Sequence, residues 1–188
     1  LVGFDYSVAA RRFAARGNMS VAEIHAFIDH SPLLCQFETG LLTNEQFYQE
    51  VRQATGYRGE FEEFAQIFAD IFWPIEPMVQ WQTSLRKRGV PTYIFSNTNE
   101  LAVTHIRRSF PFYSNFDGYI YSYQQGAMKP SPKIYEAMES MAGRKGSEIL
   151  YLDDRRENVE AGQARGWQVI LHESPEKTIE IVRRLLPP

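Results

Sequence analysis

Hydrophobic positions follow two different periods along the chain. From about residue 16 to Ile71 they recur every third or fourth residue: Ile24, Phe27 and Ile28, then Phe47 and Val51, then Phe61, Phe64, Ile67, Phe68 and Ile71. That spacing predicts amphipathic helices. Ser20-Val21-Ala22-Glu23 and Thr43-Asn44-Glu45-Gln46 supply capping boxes at two of the starts. Pro32 opens a further short helical turn, and residues 56–59, with a glycine at each end, form a break. The phenylalanine stripe reads as core or domain interface rather than a ligand box. Ahead of it, residues 1–6 read as the tail of a strand and loop, and Ser7 is placed to cap a helix over 8–16 closed by Gly17-Asn18.

The pattern changes after Trp73-Pro74-Ile75-Glu76-Pro77, whose two prolines mark a linker. A helix over 77–88, stopped by Gly89, is followed by short apolar runs at 93–95, 117–122, 149–152 and 167–171. Helical stretches at 100–109, 132–142, 156–165 and 177–186 separate and follow these runs. Strand and helix in alternation predict an α/β fold with a parallel sheet.

Three of the junctions carry chemistry. Glu148-Ile149-Leu150-Tyr151-Leu152 runs straight into Asp153-Asp154, followed by Arg155-Arg156-Glu157-Asn158. A buried strand that ends in two carboxylates puts them where open α/β sheets place their ligands. At about 6 Å and an effective dielectric near 20 two such charges repel by roughly 3 kcal/mol. A proton, the neighbouring arginines or a divalent cation would relieve this, and magnesium, held by one or two carboxylates with phosphate oxygens and water, suits the site. The competing reading makes Asp154 a helix cap paired with Glu157 in a D-x-x-E box. Ser96-Asn97-Thr98-Asn99, at a strand-to-helix turn, is either an anion site or an ordinary cap. In Lys129-Pro130-Ser131-Pro132, Pro130 biases Lys129 toward an extended backbone and Ser131 is placed to cap a helix with Pro132 in its first turn. The Lys129 ammonium suits a phosphate or carboxylate, although a lysine before proline is commonly just solvated. Gly126 is a candidate turn residue. His25, His30, His105 and His172 show no metal-ligand spacing and read as surface or packing residues.

Composition bounds the rest. The 188 residues suffice for one sizeable core plus a small accessory domain, and 44% hydrophobic with 23% charged residues is the balance of a soluble globular protein. A net charge of −3 without a basic tract argues against non-specific binding to nucleic acid or acidic membranes; Arg86-Lys87-Arg88 closes a helix, where cations complement the dipole. Cys35, the single cysteine, excludes an internal disulfide and reads as a small buried hydrophobe in a reducing, cytoplasmic setting. No apolar segment approaches the ~20 residues that span a bilayer, and none of the chain's first residues reads as a secretory signal.

Taken together, "YIFSNTNE", "GAMKPSPKIY" and "ILYLDDRRENVEAGQARGW" resemble the second, third and fourth motifs of the haloacid dehalogenase (HAD) superfamily of hydrolases, in its helical-cap branch. "FETGLLTNEQFYQEV" is similar to the cap segment and "LVGFDYS" to the residues after the first motif, so the resemblance spans essentially the whole chain. It implies a Rossmann-like parallel sheet with helices on both faces, over residues 1–15 and 76–188, with an inserted all-helical cap over 16–75. It implies that Ser96, with Asn97 beside it, bonds the transferring phosphate and that Lys129 balances charge. Asp154 would then be the direct magnesium ligand, Asp153 the acid that binds through water, and Asn158 an outer residue orienting the loop. The activity implied is magnesium-dependent hydrolysis of a small phosphorylated metabolite through an aspartyl-phosphate. The alternatives are a metal-free haloacid dehalogenase and a non-catalytic binding module. The family's nucleophilic aspartate would fall just before Leu1, and Asp5 matches only a downstream acid. The expectation is therefore a polypeptide extending further toward its amino end, with a gap between the Ser96 and Asp154 strands where the missing strand belongs.

Overall fold

The computed structural model describes residues 1–29 and 31–185; the readings of His30 and of the terminal helix at Leu186 lie outside them. Five helices come first: α1 (Tyr6–Ala14), α2 (Val21–Ile28), α3 (Pro32–Glu38), α4 (Asn44–Thr55) and α5 (Phe61–Ala69). Both capping boxes form, Ser20 with Glu23 and Thr43 with Gln46, and α4 stops at Gly56 in the left-handed region. The apolar stripes meet in one cluster that includes Ala9, Phe13, Ile24, Phe47, Phe64 and Phe68. Fully burying each large side chain is worth about 1.5–3 kcal/mol. The phenylalanine stripe is thus core, as read. Helix α1, expected with the sheet, instead packs its Ala9, Ala10 and Phe13 into this helical body.

Two local readings are corrected. The cap of α1 is Asp5, whose carboxylate accepts from Ser7 N at 2.8 Å and Ser7 Oγ at 2.7 Å, so the helix starts at Tyr6 and not after Ser7. The predicted linker is a strand: β2 (Phe72–Pro74) pairs antiparallel with β1 (Val2–Phe4). Its aromatic residues favour extended backbone, and Gly3 gives the Trp73 ring room, since a Cβ there would come within 2.5 Å of it.

Beyond α6 (Glu76–Lys87), β3 (Tyr93–Ser96) pairs in parallel with β4 (Gly118–Tyr121), with α7 (Glu100–Ser109) between them. A short helix, α8 (Ser122–Gln125), follows β4 and ends at Gly126, whose φ of 60° is left-handed. After α9 (Pro132–Ala142) comes a second parallel pair, β5 (Leu150–Asp153) and β6 (Gln168–Leu171), joined by α10 (Arg156–Ala164) and followed by α11 (Pro175–Leu185). Helices cover both faces. α9 packs Ile134, Tyr135 and Met138 with Tyr151 and Trp167, while Val103 and Ile106 of α7 pack with Tyr113 and Tyr121.

The two parallel pairs form separate sheets, with no ladder between β3 and β5 among the described residues. Side chains join them instead. The Phe95 and Tyr151 rings are 5.5 Å apart, and Tyr135 and Trp167 complete an aromatic cluster around them.

Candidate active site

The three junctions singled out in the sequence meet at the carboxyl ends of β3 and β5. Lys129 links them. Its ammonium donates to the Phe95 carbonyl at 2.9 Å and to Asp153 Oδ2 at 2.6 Å, so it spans the space between the two strands. The Phe95 ring lies 4.9 Å from the ammonium, close enough for a cation–π contribution. The Lys129 and Asp153 side chains are only 7% and 6% exposed. Burial lowers the Lys129 pKa and Asp153 pulls it back. For Asp153 the upward push of burial is outweighed by Lys129, Tyr151 and the Arg155 amide, which leaves it below the ordinary carboxylate range.

The backbone of Lys129 is fixed as firmly. Asn97 Nδ2 donates to its carbonyl at 3.0 Å, and its amide donates to Asn97 Oδ1 at 2.7 Å. Each end of the Asn97 amide thus holds the loop that carries Lys129, so Asn97 clamps that loop to the turn after β3, with one Nδ2 hydrogen still unused in these two bonds. The Lys129–Pro130 peptide is cis. Ser131 occupies the cap position of α9 without a side-chain cap bond. Ser122, which no sequence signal marked, locks the turn after β3: its Oγ accepts from Thr98 N at 2.9 Å and donates to Thr98 O at 3.0 Å. Asn99 caps α7. Among the described residues, the Ser96 hydroxyl bonds only the adjacent Asn97 carbonyl, at 3.2 Å.

The two acids have different environments. Asp153 is buried, and four donors fill its oxygens: Arg155 N and Asn158 Nδ2, each at 2.9 Å on Oδ1, with Tyr151 OH and Lys129 Nζ, each at 2.6 Å on Oδ2. A carboxylate offers about four lone-pair positions, so none remains for a cation or its water. The charged partner of Asp153 in the fold is Lys129. Asn158, in the first turn of α10, ties that helix to the end of β5 through its bond to Asp153. Asp154 is exposed, with no hydrogen bond among the described residues. It does not cap α10, whose cap position is Arg155 without a side-chain bond.

Among the described residues no three His, Cys, Asp or Glu side chains gather as a metal cluster. The donor set thus fits a hard cation held by one carboxylate, Asp154, with water and ligand oxygens, and does not fit an all-protein cage. A cleft between the helical body and the sheets, lined by residues that include Phe37, Gly40, Asn44, Glu100 and Tyr123, contains none of the site residues. Cys35, expected to be buried, is exposed. His105 and His172 lie at partly buried positions, His172 Nδ1 being 2.7 Å from Thr178 Oγ1. No described helix is long and apolar enough to cross a membrane.

Parallel strand pairs flanked by helices, with a lysine, a serine and two acids gathered at the carboxyl ends of the strands, define an α/β protein of Rossmann-like type. A family model for haloacid dehalogenase-like hydrolases matches residues 7–166, and the chain belongs to that family. It is a hydrolase. A sesquiterpene phosphatase of Aspergillus oryzae is 28% identical over 134 residues, 70% of this chain and 67% of that protein. A D-ribitol-5-phosphate phosphatase of Bacteroides thetaiotaomicron is 25% identical over 146 residues, 74% of this chain and 70% of that one. A HAD family enzyme of Bacteroides thetaiotaomicron, solved with magnesium and inorganic phosphate, shares the fold at a TM-score of 0.80 and 22% identity, over 90% of this chain and 87% of that one.

Proposed function

We propose that this hydrolase is a magnesium-dependent phosphatase of small phosphorylated metabolites. One observation carries the reading: a buried ammonium, a hydroxyl bonded to its neighbour's carbonyl at 3.2 Å and an exposed carboxylate without a hydrogen bond among the described residues occur together at the ends of β3 and β5, in Lys129, Ser96 and Asp154. The first two suit phosphoryl oxygens, and the third suits the cation that accompanies them. Lys129 would offset charge on the phosphate while Asp153, Tyr151 and Asn97 keep it in place. Ser96 Oγ would donate to a phosphoryl oxygen, a preorganised donor of the kind that favours the more charged transition state. Magnesium bound at Asp154 would act as a Lewis acid toward the phosphate. The attacking carboxylate in this scheme is an aspartate preceding Leu1, and an aspartyl-phosphate forms and is hydrolysed; that step rests on the family resemblance.

The helical body, read as a cap over 16–75 and joined by α1 in its packing, would close over the site and exclude water. The phosphatase-named relatives and the magnesium–phosphate complex of the Bacteroides enzyme support the reading. Dehalogenation needs no metal and leaves the free Asp154 carboxylate without a use. A lone exposed cysteine accords with a reducing, cytoplasmic setting. The test is phosphate release by the full natural polypeptide from a panel of phosphorylated metabolites, with magnesium and after its chelation. Release that survives chelation, or none from any member, would overturn the proposal.

A further inference from the structure

His172 follows β6, and its amide donates to the Asp153 carbonyl at 2.8 Å, which carries the β5–β6 ladder one step past its last pair, Asp153 with Leu171. His172 is therefore the neighbour of Asp154 across the ladder, on strands about 4.8 Å apart. The two side chains also share a face. Tyr151 and Val169, paired in register, both point at α10, where a Cβ on Gly162 would come within 3.0 Å of the one and 3.3 Å of the other. Asp153 follows two residues on and accepts from Asn158 of the same helix. Alternation along the strands turns Asp154 and His172 to the opposite face, where α11 holds the His172 ring through Thr178.

That contact fixes the proton of the ring. Thr178 is 1% exposed, and its hydroxyl makes no other hydrogen bond among the described residues. A buried hydroxyl proton needs an acceptor, and His172 Nδ1, at 2.7 Å, is the one within reach. Nδ1 therefore accepts, and Nε2 carries the hydrogen. Nε2 has no hydrogen bond among the described residues, and neither has the Asp154 carboxylate. A donor without an acceptor and an acceptor without a donor thus occupy neighbouring positions at the end of the sheet. We propose that His172 is a positioning residue for the metal ligand: its Nε2–H donates to one Asp154 oxygen and leaves the other aimed at the cation. Thr178 acts behind it by setting the tautomer. A hydrogen bond that orients a metal-binding carboxylate is worth about ten- to a hundredfold in metal affinity. The inference rests on the phosphatase reading, in which Asp154 binds magnesium, and adds the residue that orients it.

Magnesium alone is the probe, titrated by calorimetry into the full natural polypeptide and its His172→Phe, His172→Gln and Thr178→Val variants. His172→Phe keeps a ring without the donor and should raise the magnesium Kd about tenfold or more. His172→Gln, which retains a side-chain N–H at similar reach, should recover most of the affinity. Thr178→Val, which frees the tautomer, should weaken binding by a smaller factor. The magnesium concentration for half-maximal phosphate release should shift in step with each Kd. An unmoved Kd in His172→Phe overturns the inference alone. Equal weakening in His172→Phe and His172→Gln does so too, because it makes the ring a packing element. Asp154→Asn is the control. If it leaves magnesium binding unchanged, or if the natural polypeptide neither binds magnesium nor needs it for phosphate release, the phosphatase reading falls and the inference with it.

Discussion

Replacing Lys129 with methionine keeps most of the side-chain volume and removes the charge. Asp153 then loses its 2.6 Å partner and the Phe95 carbonyl its 2.9 Å donor, while Tyr151, Arg155 and Asn158 still reach the carboxylate. Breaking one half of a buried ion pair costs about 3–5 kcal/mol. The three retained donors place the expected loss near the lower end, about 3 kcal/mol, or roughly 6–12 °C in thermal midpoint for a chain of this size. Adding Asp153→Asn removes the stranded charge, so the double variant should be more stable than the sum of the single losses implies, by about 2 kcal/mol. The assay is chemical denaturation of the four proteins at pH 7. The pair also has a pH signature. A carboxylate held below its ordinary value of 3.8 contributes stability that is present above that value and lost as pH falls through the folded one. The natural protein should therefore lose stability below about pH 4 more steeply than Asp153→Asn. Losses that add to within about 0.5 kcal/mol would show that the two groups do not hold each other, and the reasoning about the site would fail.

Three further outcomes follow from the same contacts. Asn97→Ala strands the amide and carbonyl of Lys129, so it should cost about 1–3 kcal/mol by denaturation and lower kcat. Gly40→Ala puts a side chain on a left-handed residue against the Tyr123 carbonyl and should destabilise by more than 1 kcal/mol in a thermal melt. Glu38, raised from 4.5 to about 7 by burial, binds its proton more tightly when folded, so stability is lost as pH rises from about 4.5 through 7. Arg155 and Tyr6 are the groups that act with it. Glu38→Gln lacks this loss and should gain about 1–3 kcal/mol on the natural protein between pH 5 and pH 8, read from paired denaturation curves.

What the sequence made legible was local. The capping boxes at Ser20 and Thr43 need only three residues of context, and both form. The strand ending at Asp153 and the helix at Pro132 are likewise set by short runs of side chains. What escaped depends on partners distant in sequence. Strand β2 exists because Phe72–Pro74 finds Val2–Phe4, and two prolines nearby signal a linker just as well. Asn97 reads as lying beside the phosphate, and only the fold shows that its amide also clamps the Lys129 backbone. Asp153 and Asp154 are indistinguishable as letters. The structure separates them by turning one toward four donors and leaving the other in solvent. Asp5 outcompetes Ser7 as a cap because its carboxylate reaches both the amide and the hydroxyl of Ser7. Glu38 lies in the cap segment, and its partial burial without a hydrogen bond among the described residues is visible only in the fold.

The most direct test of the central claim is phosphate release by the full natural polypeptide, compared with its Lys129→Ala and Asp154→Asn variants, in magnesium and after chelation. The account predicts release that chelation abolishes and that each substitution lowers at least a hundredfold, about 3 kcal/mol of lost stabilisation. Release that persists without divalent cations, or that either variant sustains at the natural rate, would contradict it.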